Sequence, residues 1–271
     1  METRLVFEAK NIFKNYGRIQ ALRGVSLSVH EGEVVGLLGD NGAGKSTLIK
    51  ILSGALPFDE GDIFLDGKPC HFDSPQDARN QGIETVYQDL ALATDLDIES
   101  NLFLGREIVK KGILGKFGFL HKKEMLRQVE DLLKNLNVKL QTYKARVADL
   151  SGGQRQAVAV ARAVAWGNKM VIMDEPTAAL GVEQSAMVLD LVRQVKAKGI
   201  PVIFISHTLP FVFDVCDRLV ILRLGEVVAN LVTSETTVDE VVQYITGSKT
   251  ASEDIIRLQR SSVHRSEVKR K

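Results

Sequence analysis

Hydrophobic and polar residues follow two different patterns along the chain. Residues 25–29 alternate between apolar side chains and serines, which is the two-residue period of a half-buried strand. Residues 34–38 form a continuous apolar run, which is typical of a strand buried on both faces of a parallel sheet. Residues 62–65 alternate again, and the Asp66-Gly67 pair after them indicates a hairpin turn. Together the patterns predict a small antiparallel sheet beside a mainly parallel one.

Longer segments carry apolar residues at helical spacing. Residues 122–136 place a set of apolar side chains on one face of a helix. The region 89–147 is expected to be largely helical and to contribute to a helical subdomain, about 89–165, inserted between core strands. Because strands alternate with helices, we predict an α/β fold built from βαβ units. The remaining predicted helices are 45–53, 155–165 and 183–198, and the remaining predicted strands are 83–87, 170–173, 202–205 and 219–222.

The composition is that of an ordinary globular protein. Of 271 residues, 45% are apolar and 25% are charged, and the formal net charge of +1 does not favour nucleic acid as a partner. We predict one domain over residues 1–247 and a polar, mobile tail over 248–271. Cys70 and Cys216 lack metal-ligand spacing and are interpreted as small apolar fillers in a reduced compartment. Since no stretch approaches the roughly 18 apolar residues of a membrane span, we expect a cytoplasmic protein that reaches a membrane only through another chain.

Residues 39–46 read GDNGAGKS and match the phosphate-loop pattern G-x-x-x-x-G-K-[ST]. A buried strand precedes the match and a helix follows it, so backbone N–H groups and the helix N-terminus can face phosphates. Lys45 would place its charge between the β- and γ-phosphates, and Ser46 would ligate Mg²⁺. A glycine-rich turn without ligand is the alternative, and the loop alone leaves kinase, GTPase and motor functions open. The predicted nucleotide-binding residues are Gly39, Asn41, Gly42, Gly44, Lys45, Ser46 and Thr47.

A second acidic element follows the apolar run 170–173. Asp174 ends this predicted strand, and an acid at such a strand end holds Mg²⁺ in P-loop proteins. Glu175 lies one residue further, where it could polarise an attacking water. The alternative is a pair of acids at a helix N-terminus, which the nearby phosphate loop makes less favourable.

Residues 150–154 read LSGGQ and precede an amphipathic helix. A serine hydroxyl, two glycine N–H groups and a helix dipole offer a second phosphate site, although Ser151 as a plain helix N-cap is the alternative. With the phosphate loop and the acidic pair, this pentapeptide resembles the signature motif of ABC ATPases, and the resemblance covers about residues 1–247. It implies an ABC-type P-loop NTPase that hydrolyses ATP with Mg²⁺. It assigns nucleotide contacts to Ser151, Gly152, Gly153 and Gln154.

Further positions match the same family in order and spacing. The resemblance implies that Tyr16, in an N-terminal loop, stacks on adenine and that His207 contacts the γ-phosphate. It also implies that Gln88, at the end of its strand, contacts Mg²⁺ and senses a transmembrane partner. Residues 176–180 match the start of the D-loop, after which this chain has Gly181 where the family usually has Asp. The resulting catalytic set is Lys45, Glu175 and His207, and the resulting metal set is Ser46, Gln88 and Asp174.

Within the family, residues 74–79, 82–92 and 101–107 look most like ATPases of bacterial importers of ribose, xylose, fructose and similar sugars. The resemblance implies uptake of a simple sugar through separate permease subunits, with an indirect periplasmic sugar-binding partner, at the cytoplasmic face of the membrane. It also implies a head-to-tail pair of identical chains, in which Lys45 of one and Ser151 of the other hold one ATP. The alternatives are a non-transport ABC ATPase, an ATPase for another solute, and a module that holds ATP without hydrolysing it.

Overall fold

The computed structural model describes residues 3–136, 138, 142–178 and 180–249. The strands are β1 (Leu5–Tyr16), β2 (Ile19–His30), β3 (Val34–Leu38), β4 (Glu60–Leu65), β5 (Lys68–Cys70), β6 (Ile83–Val86), β7 (Met170–Asp174), β8 (Val202–Ile205), β9 (Arg218–Arg223) and β10 (Glu226–Val232). The α-helices are α1 (Lys45–Leu52), α2 (Pro75–Asn80), α3 (Ile98–Phe103), α4 (Ile113–Lys116), α5 (Lys122–Asn135), α6 (Gly152–Trp166), α7 (Val182–Ala197), α8 (Leu209–Val215) and α9 (Val238–Thr246).

Within the described residues, the main sheet has six strands in the order β10-β9-β3-β8-β7-β6. The pairs from β9 to β6 are parallel, whereas β10 pairs antiparallel with β9. The prediction of a mainly parallel α/β core is confirmed. Because parallel strands end at one edge of a sheet, the segments that follow β3, β6, β7 and β8 meet there.

A second, antiparallel sheet has the order β2-β1-β4-β5. The predicted hairpin joins β4 to β5, and Asp66 (φ 50°) and Gly67 (φ 74°) both adopt the left-handed conformation that such a turn requires. An ion pair connects the two sheets, since Arg218 Nε donates to Glu33 Oε1 at 2.7 Å and Arg218 Nη2 lies 3.1 Å from Glu33 Oε2. This bidentate pair fixes β9 against the turn between β2 and β3.

Two apolar clusters cover the two faces of the main sheet. Val34 and Leu38 of β3 face the cluster that contains α5, α6 and α7, whereas Val35 and Leu37 face the cluster that contains the antiparallel sheet and α1. All four are at most 2% exposed, which explains why this strand is continuously apolar. Cys216 is buried as predicted, and burial raises the pKa of its thiol; Cys70 is only half-buried.

The prediction that residues 89–147 are largely helical is wrong in extent. This region holds the short α3 and α4 and the longer α5, connected by turns. The segment before α3 is fixed by a side chain instead of helical hydrogen bonds: the buried Asn101 amide accepts from Ala93 N at 2.8 Å and donates to Asp97 O at 3.0 Å. The amphipathic helix near 122–136 is confirmed, with Met125 and Val129 buried.

The domain limits 1–247 and 89–165 stay predictions. Of the predicted tail, 248–271, the residues from 250 onward lie outside the described part of the chain. Among the described helices, none has both the length and the apolar character that crossing a membrane requires.

Candidate functional site

The predicted phosphate loop connects β3 to α1 and forms the wall of a cavity of about 460 Å³. At Gly39 (φ 147°) a Cβ atom would overlap the carbonyl oxygen of Leu222, so the close approach of β9 requires glycine. Lys45 Nζ donates to Gly39 O at 2.7 Å and to Asp40 O at 3.0 Å, which holds the lysine over the loop. Of the predicted loop residues, those that line the cavity are Asn41, Gly42, Gly44, Lys45, Ser46 and Thr47.

Sequence reasoning missed the opposite wall of this cavity. It comes from the start of β2 and from the turn between β9 and β10, and two of its apolar side chains, Ile19 and Leu224, are 71% and 63% exposed. Hydrogen bonds hold this wall in place: Gly225 N donates to Ala43 O at 3.0 Å, and Arg23 N donates to Gly225 O at 2.8 Å. No local sequence pattern connects the start of β2 with the turn between β9 and β10. The only signal for this wall would have been an apolar residue in a predicted turn.

Tyr16 was predicted to lie in a loop, but it is the last residue of β1. It pairs with Ile19 across the two-residue turn that leads into β2, and it is 47% exposed. It is not one of the described residues that line the cavity. Stacking of Tyr16 on adenine therefore stays a prediction.

The acidic pair lies at the carboxyl end of β7, with Asp174 as the last residue of the strand and Glu175 just beyond it, as predicted. Glu175 N donates to Ile205 O at 3.0 Å, so the neighbouring strand β8 positions it. Glu175 adopts a left-handed conformation (φ 51°), which is uncommon for a residue with a side chain and is often found at functional sites. Burial, and secondly the Glu175 carboxylate, raise the pKa of Asp174, whereas Lys45 opposes this rise.

The structure brings His207 to this acidic pair. His207 follows β8 by two residues, and its Nδ1 atom lies 3.0 Å from Glu175 Oε2. That oxygen is buried and makes no hydrogen bond within the described residues. The His207 side chain is 77% exposed and that of Glu175 only 16%, so the histidine covers the carboxylate from the solvent side.

Lys45 connects the loop electrostatically to the acids. Burial lowers the pKa of Lys45, and the charges of Glu175, Asp40 and Asp174 oppose that shift. The donors present suit Mg²⁺, which proteins commonly hold through one or two carboxylates and the phosphates of a nucleotide. The Asp174 carboxylate, whose charged form is disfavoured by burial and by Glu175, would be stabilised by a cation. Asp174 and Ser46 are the residues that fit this role.

Gln88 lies two residues beyond the end of β6, not at the end of the strand as predicted. It is exposed, in a turn closed by a hydrogen bond from Leu90 N to Tyr87 O at 2.9 Å. It does not line the phosphate-loop cavity. Its predicted contact with Mg²⁺ stays a prediction.

A second cavity, of about 360 Å³, lies beside this turn and was also missed from the sequence. Inside it, Arg106 Nη2 contacts the buried Glu84 at 2.8 Å, and the Arg106 guanidinium lies 5.0 Å from the Trp166 ring centroid. Arg162 of α6 donates to the carbonyls of Leu90 and Ala91 at 2.9 and 2.7 Å. Helix α6 is thereby bonded directly to the segment that follows Gln88.

The signature segment begins α6 on another part of the surface. Ser151 is the helix N-cap: its Oγ accepts from Gln154 N at 3.2 Å, and Ser151 N donates to Gln154 Oε1 at 3.0 Å. The N-cap interpretation is thus correct, and the hydroxyl hydrogen remains available to a ligand. No residue of 150–154 lines the phosphate-loop cavity. Ala179 of the D-loop lies outside the described residues, and Gly181 is the N-cap of α7.

Comparisons with known proteins agree with this arrangement. The model of the ABC transporter family matches residues 22–178. The chain is 49% identical to the fructose import ATP-binding protein FrcA of Rhizobium meliloti, over 90% of this chain and 95% of that one. It is 47% identical to the xylose/arabinose import ATP-binding protein XylG of Sulfolobus acidocaldarius, over 89% of this chain and 94% of that one.

A solved structure shows the same fold. The ATP-binding cassette MJ0796, in a dimeric post-hydrolysis state bound to ADP and phosphate, superposes with a TM-score of 0.70 at 25% identity. The match covers 84% of this chain and 98% of that one. The family model matches more than half of the chain, and the relatives are identical to it at nearly half of the aligned positions. The chain therefore belongs to the ABC transporter family, as an ATP-hydrolysing cassette.

Proposed function

We propose that this chain powers the import of a monosaccharide by hydrolysing MgATP between two copies of itself, bound to separate permease subunits. The single observation that carries the proposal is the meeting of Lys45, Glu175 and His207 at one edge of the sheet, while the signature segment lies away from their cavity. One copy therefore holds a phosphate site to which its own signature segment contributes no residue. It also holds a serine-glycine N-terminus that is suited to phosphate but is not used within the same copy.

Each residue of the edge has a role that its position supports. The loop N–H groups and Lys45 bind the phosphates and offset negative charge on the transferred phosphoryl group. Glu175, next to the strand end, orients the attacking water and accepts its proton. His207, 3.0 Å from that carboxylate and exposed, donates to the γ-phosphate. Mg²⁺, held by Asp174 and Ser46, would supply further charge neutralisation at the phosphates.

Pairing of two copies would complete each site. Ser151, Gly152 and Gly153 present a hydroxyl, backbone N–H groups and a helix N-terminus, which together favour an anion. The dimeric state of the MJ0796 cassette supports the pairing of two copies. In our proposal, these groups of one copy face Lys45 of the other. ATP would then favour the closed pair and ADP the open one, because ADP lacks the γ-phosphate that would lie between the two copies.

Coupling to a permease would use the turn that contains Gln88. Since Arg162 bonds α6 to the carbonyls of Leu90 and Ala91, a shift of this turn moves the helix whose N-terminus carries the signature. The names of the fructose and xylose/arabinose relatives support a simple sugar as the imported solute. We place the chain at the cytoplasmic face of the membrane, with a sugar-binding protein on the other side delivering the solute.

The test uses Glu175→Gln in the full chain, with Glu130→Gln, an exposed residue of α5, as the matched control. We expect Glu175→Gln to bind ATP, to lose turnover by roughly 10²- to 10⁴-fold and to accumulate an ATP-dependent dimer in sedimentation. The control should hydrolyse ATP normally and should not accumulate as a dimer. Normal hydrolysis by Glu175→Gln would show that Glu175 is not catalytic. Sugar uptake in vesicles that contain the permease tests the transport assignment separately.

A further inference from the structure

A hairpin on the surface of the helical region has a well-defined shape. We define the basic hairpin as residues 108–123, which include α4 at its tip. Val109 bridges to Leu120, Lys110 N donates to Phe119 O at 2.8 Å, and His121 N donates to Ile108 O at 2.6 Å. Its base is anchored, because Ile108 and Leu120 pack against the core cluster of α5 and α6. The hairpin is therefore a defined projection from the domain.

Apolar side chains cover the outer part of this projection. They belong to the stretch 109–119, and each is at least half exposed. Neighbouring large apolar residues are rarely exposed together on the surface of a soluble protein. The exposed fractions are 51% for Val109, 74% for Ile113, 50% for Leu114, 76% for Phe117 and 54% for Phe119.

The charge of the basic hairpin has one sign. The segment contains five lysines and no aspartate or glutamate. All five lysines are exposed, and none forms an ion pair with a described carboxylate. The nearest acids along the chain, Glu107 and Glu124, are already engaged, by Gly105 N and by Arg127. The lysines are Lys110, Lys111, Lys116, Lys122 and Lys123.

The backbone holds these side chains outward. A Cβ atom on Gly115 would overlap the carbonyl oxygen of Lys110, so the tip closes tightly on itself. Gly112 and Gly118 both have φ 76°, a conformation that glycine adopts without strain. Because the shape is already formed, a binding partner would meet little conformational entropy cost at this site.

We propose that the basic hairpin binds the surface of a bilayer that contains anionic lipids. Lysines attract anionic headgroups, and Phe and Ile side chains beside them can enter the interface below the headgroups. A protein partner would need a matching acidic and apolar surface, whereas an anionic bilayer offers both features everywhere. This contact adds a second attachment to the membrane besides the permease.

The test measures binding of the full chain to vesicles in the absence of permease. Binding to vesicles with phosphatidylglycerol should exceed binding to phosphatidylcholine alone and should weaken with salt. Each lysine near an anionic surface contributes about fivefold to the binding constant, so replacing Lys110, Lys111 and Lys116 together by Gln should lower it on the order of 100-fold. Phe117→Ser should lower it roughly 10-fold or more, because its ring no longer enters the interface.

A matched control variant carries three lysine-to-glutamine changes outside the basic hairpin. The triple change of Lys68, Lys134 and Lys198 to Gln removes the same charge from exposed sites outside the hairpin, and should change the binding constant less than about threefold. ATP hydrolysis by all variants should equal that of the parent chain. This readout separates loss of lipid binding from misfolding and from failure of the proposed catalytic site.

Three results would overturn the proposal. One is equal binding to neutral and anionic vesicles, and another is equal loss in the hairpin and control triple variants. The third is no vesicle binding by the parent chain together with a hairpin-dependent affinity for purified permease in neutral detergent, which would identify a protein partner.

Discussion

Replacing the first glycine of the phosphate loop tests whether the loop shape depends on contact with β9. In Gly39→Ala, the new Cβ would overlap Leu222 O and lie 3.0 Å from Ala43 Cβ. Leu222 is fully buried and pairs with Val227 of β10, so its carbonyl cannot move without disturbing the sheet. The overlap should cost about 1–3 kcal/mol, and the φ of 147° adds about 1–3 kcal/mol for a residue with a side chain.

Gly42→Ala is the matched comparison within the same loop. Gly42 also has a left-handed φ, of 77°, but a Cβ there would meet no atom within 4 Å. Its cost is therefore only the backbone term, about 1–2 kcal/mol. We expect the free energy of unfolding, measured by urea denaturation without nucleotide, to fall by about 2–6 kcal/mol for Gly39→Ala, the sum of its two terms.

Nucleotide affinity provides a second measurement on the same pair. Gly39 O accepts a hydrogen bond from Lys45 Nζ, so displacement of Gly39 also displaces the lysine. ATP affinity measured by calorimetry should fall more in Gly39→Ala than in Gly42→Ala. Equal losses of stability in the two variants would refute the argument, because they would show that contact with β9 does not shape the loop.

Two further changes test other parts of the structure. Burial alone would raise the pKa of Glu33, but its hydrogen bonds and charge contact with Arg218 hold it below the usual value. This pair therefore stabilises the fold above the ordinary glutamate pKa, and the contribution is lost as pH falls through the lowered value. Glu33→Gln should lower the free energy of unfolding by about 2–3 kcal/mol at neutral pH and should weaken its dependence on pH on the acid side. An unchanged pH dependence would show that the Glu33–Arg218 pair does not link stability to pH. Tyr16→Ala should leave stability within about 0.5 kcal/mol, since the residue is half exposed, and lower ATP affinity about 2- to 10-fold if the ring stacks on adenine; an unchanged dissociation constant would contradict stacking.

Local patterns in the sequence determined the elements that carry the site. The continuous apolar runs identified β3, β7 and β8 because a strand buried on both faces must be apolar at every position. The loop between β3 and α1 and the N-terminus of α6 were equally readable, since glycine-rich turns and helix capping depend on residues within one turn of each other. The Asp66-Gly67 hairpin followed from its turn chemistry alone.

Other features depended on contacts between distant parts of the chain. Helix content in 89–147 was overestimated because Asn101, whose amide satisfies the backbone of the preceding segment, looks like any other polar residue in the sequence. The wall formed by Ile19 and Leu224 and the contact of Arg106 with the buried Glu84 likewise have no local signal.

The sequence by itself identified the candidates for binding phosphate, holding a cation and activating water, because those capacities belong to side chains and short backbone turns. Only the tertiary structure decided that His207 meets Glu175 and that the signature lies outside the phosphate-loop cavity. The physical reason is the strand order: β8 lies between β3 and β7 and pairs parallel with both, so the carboxyl ends of the three strands are neighbours at one edge, while α6 begins elsewhere. Strand order is set by packing across the whole domain, and no short stretch of sequence specifies it.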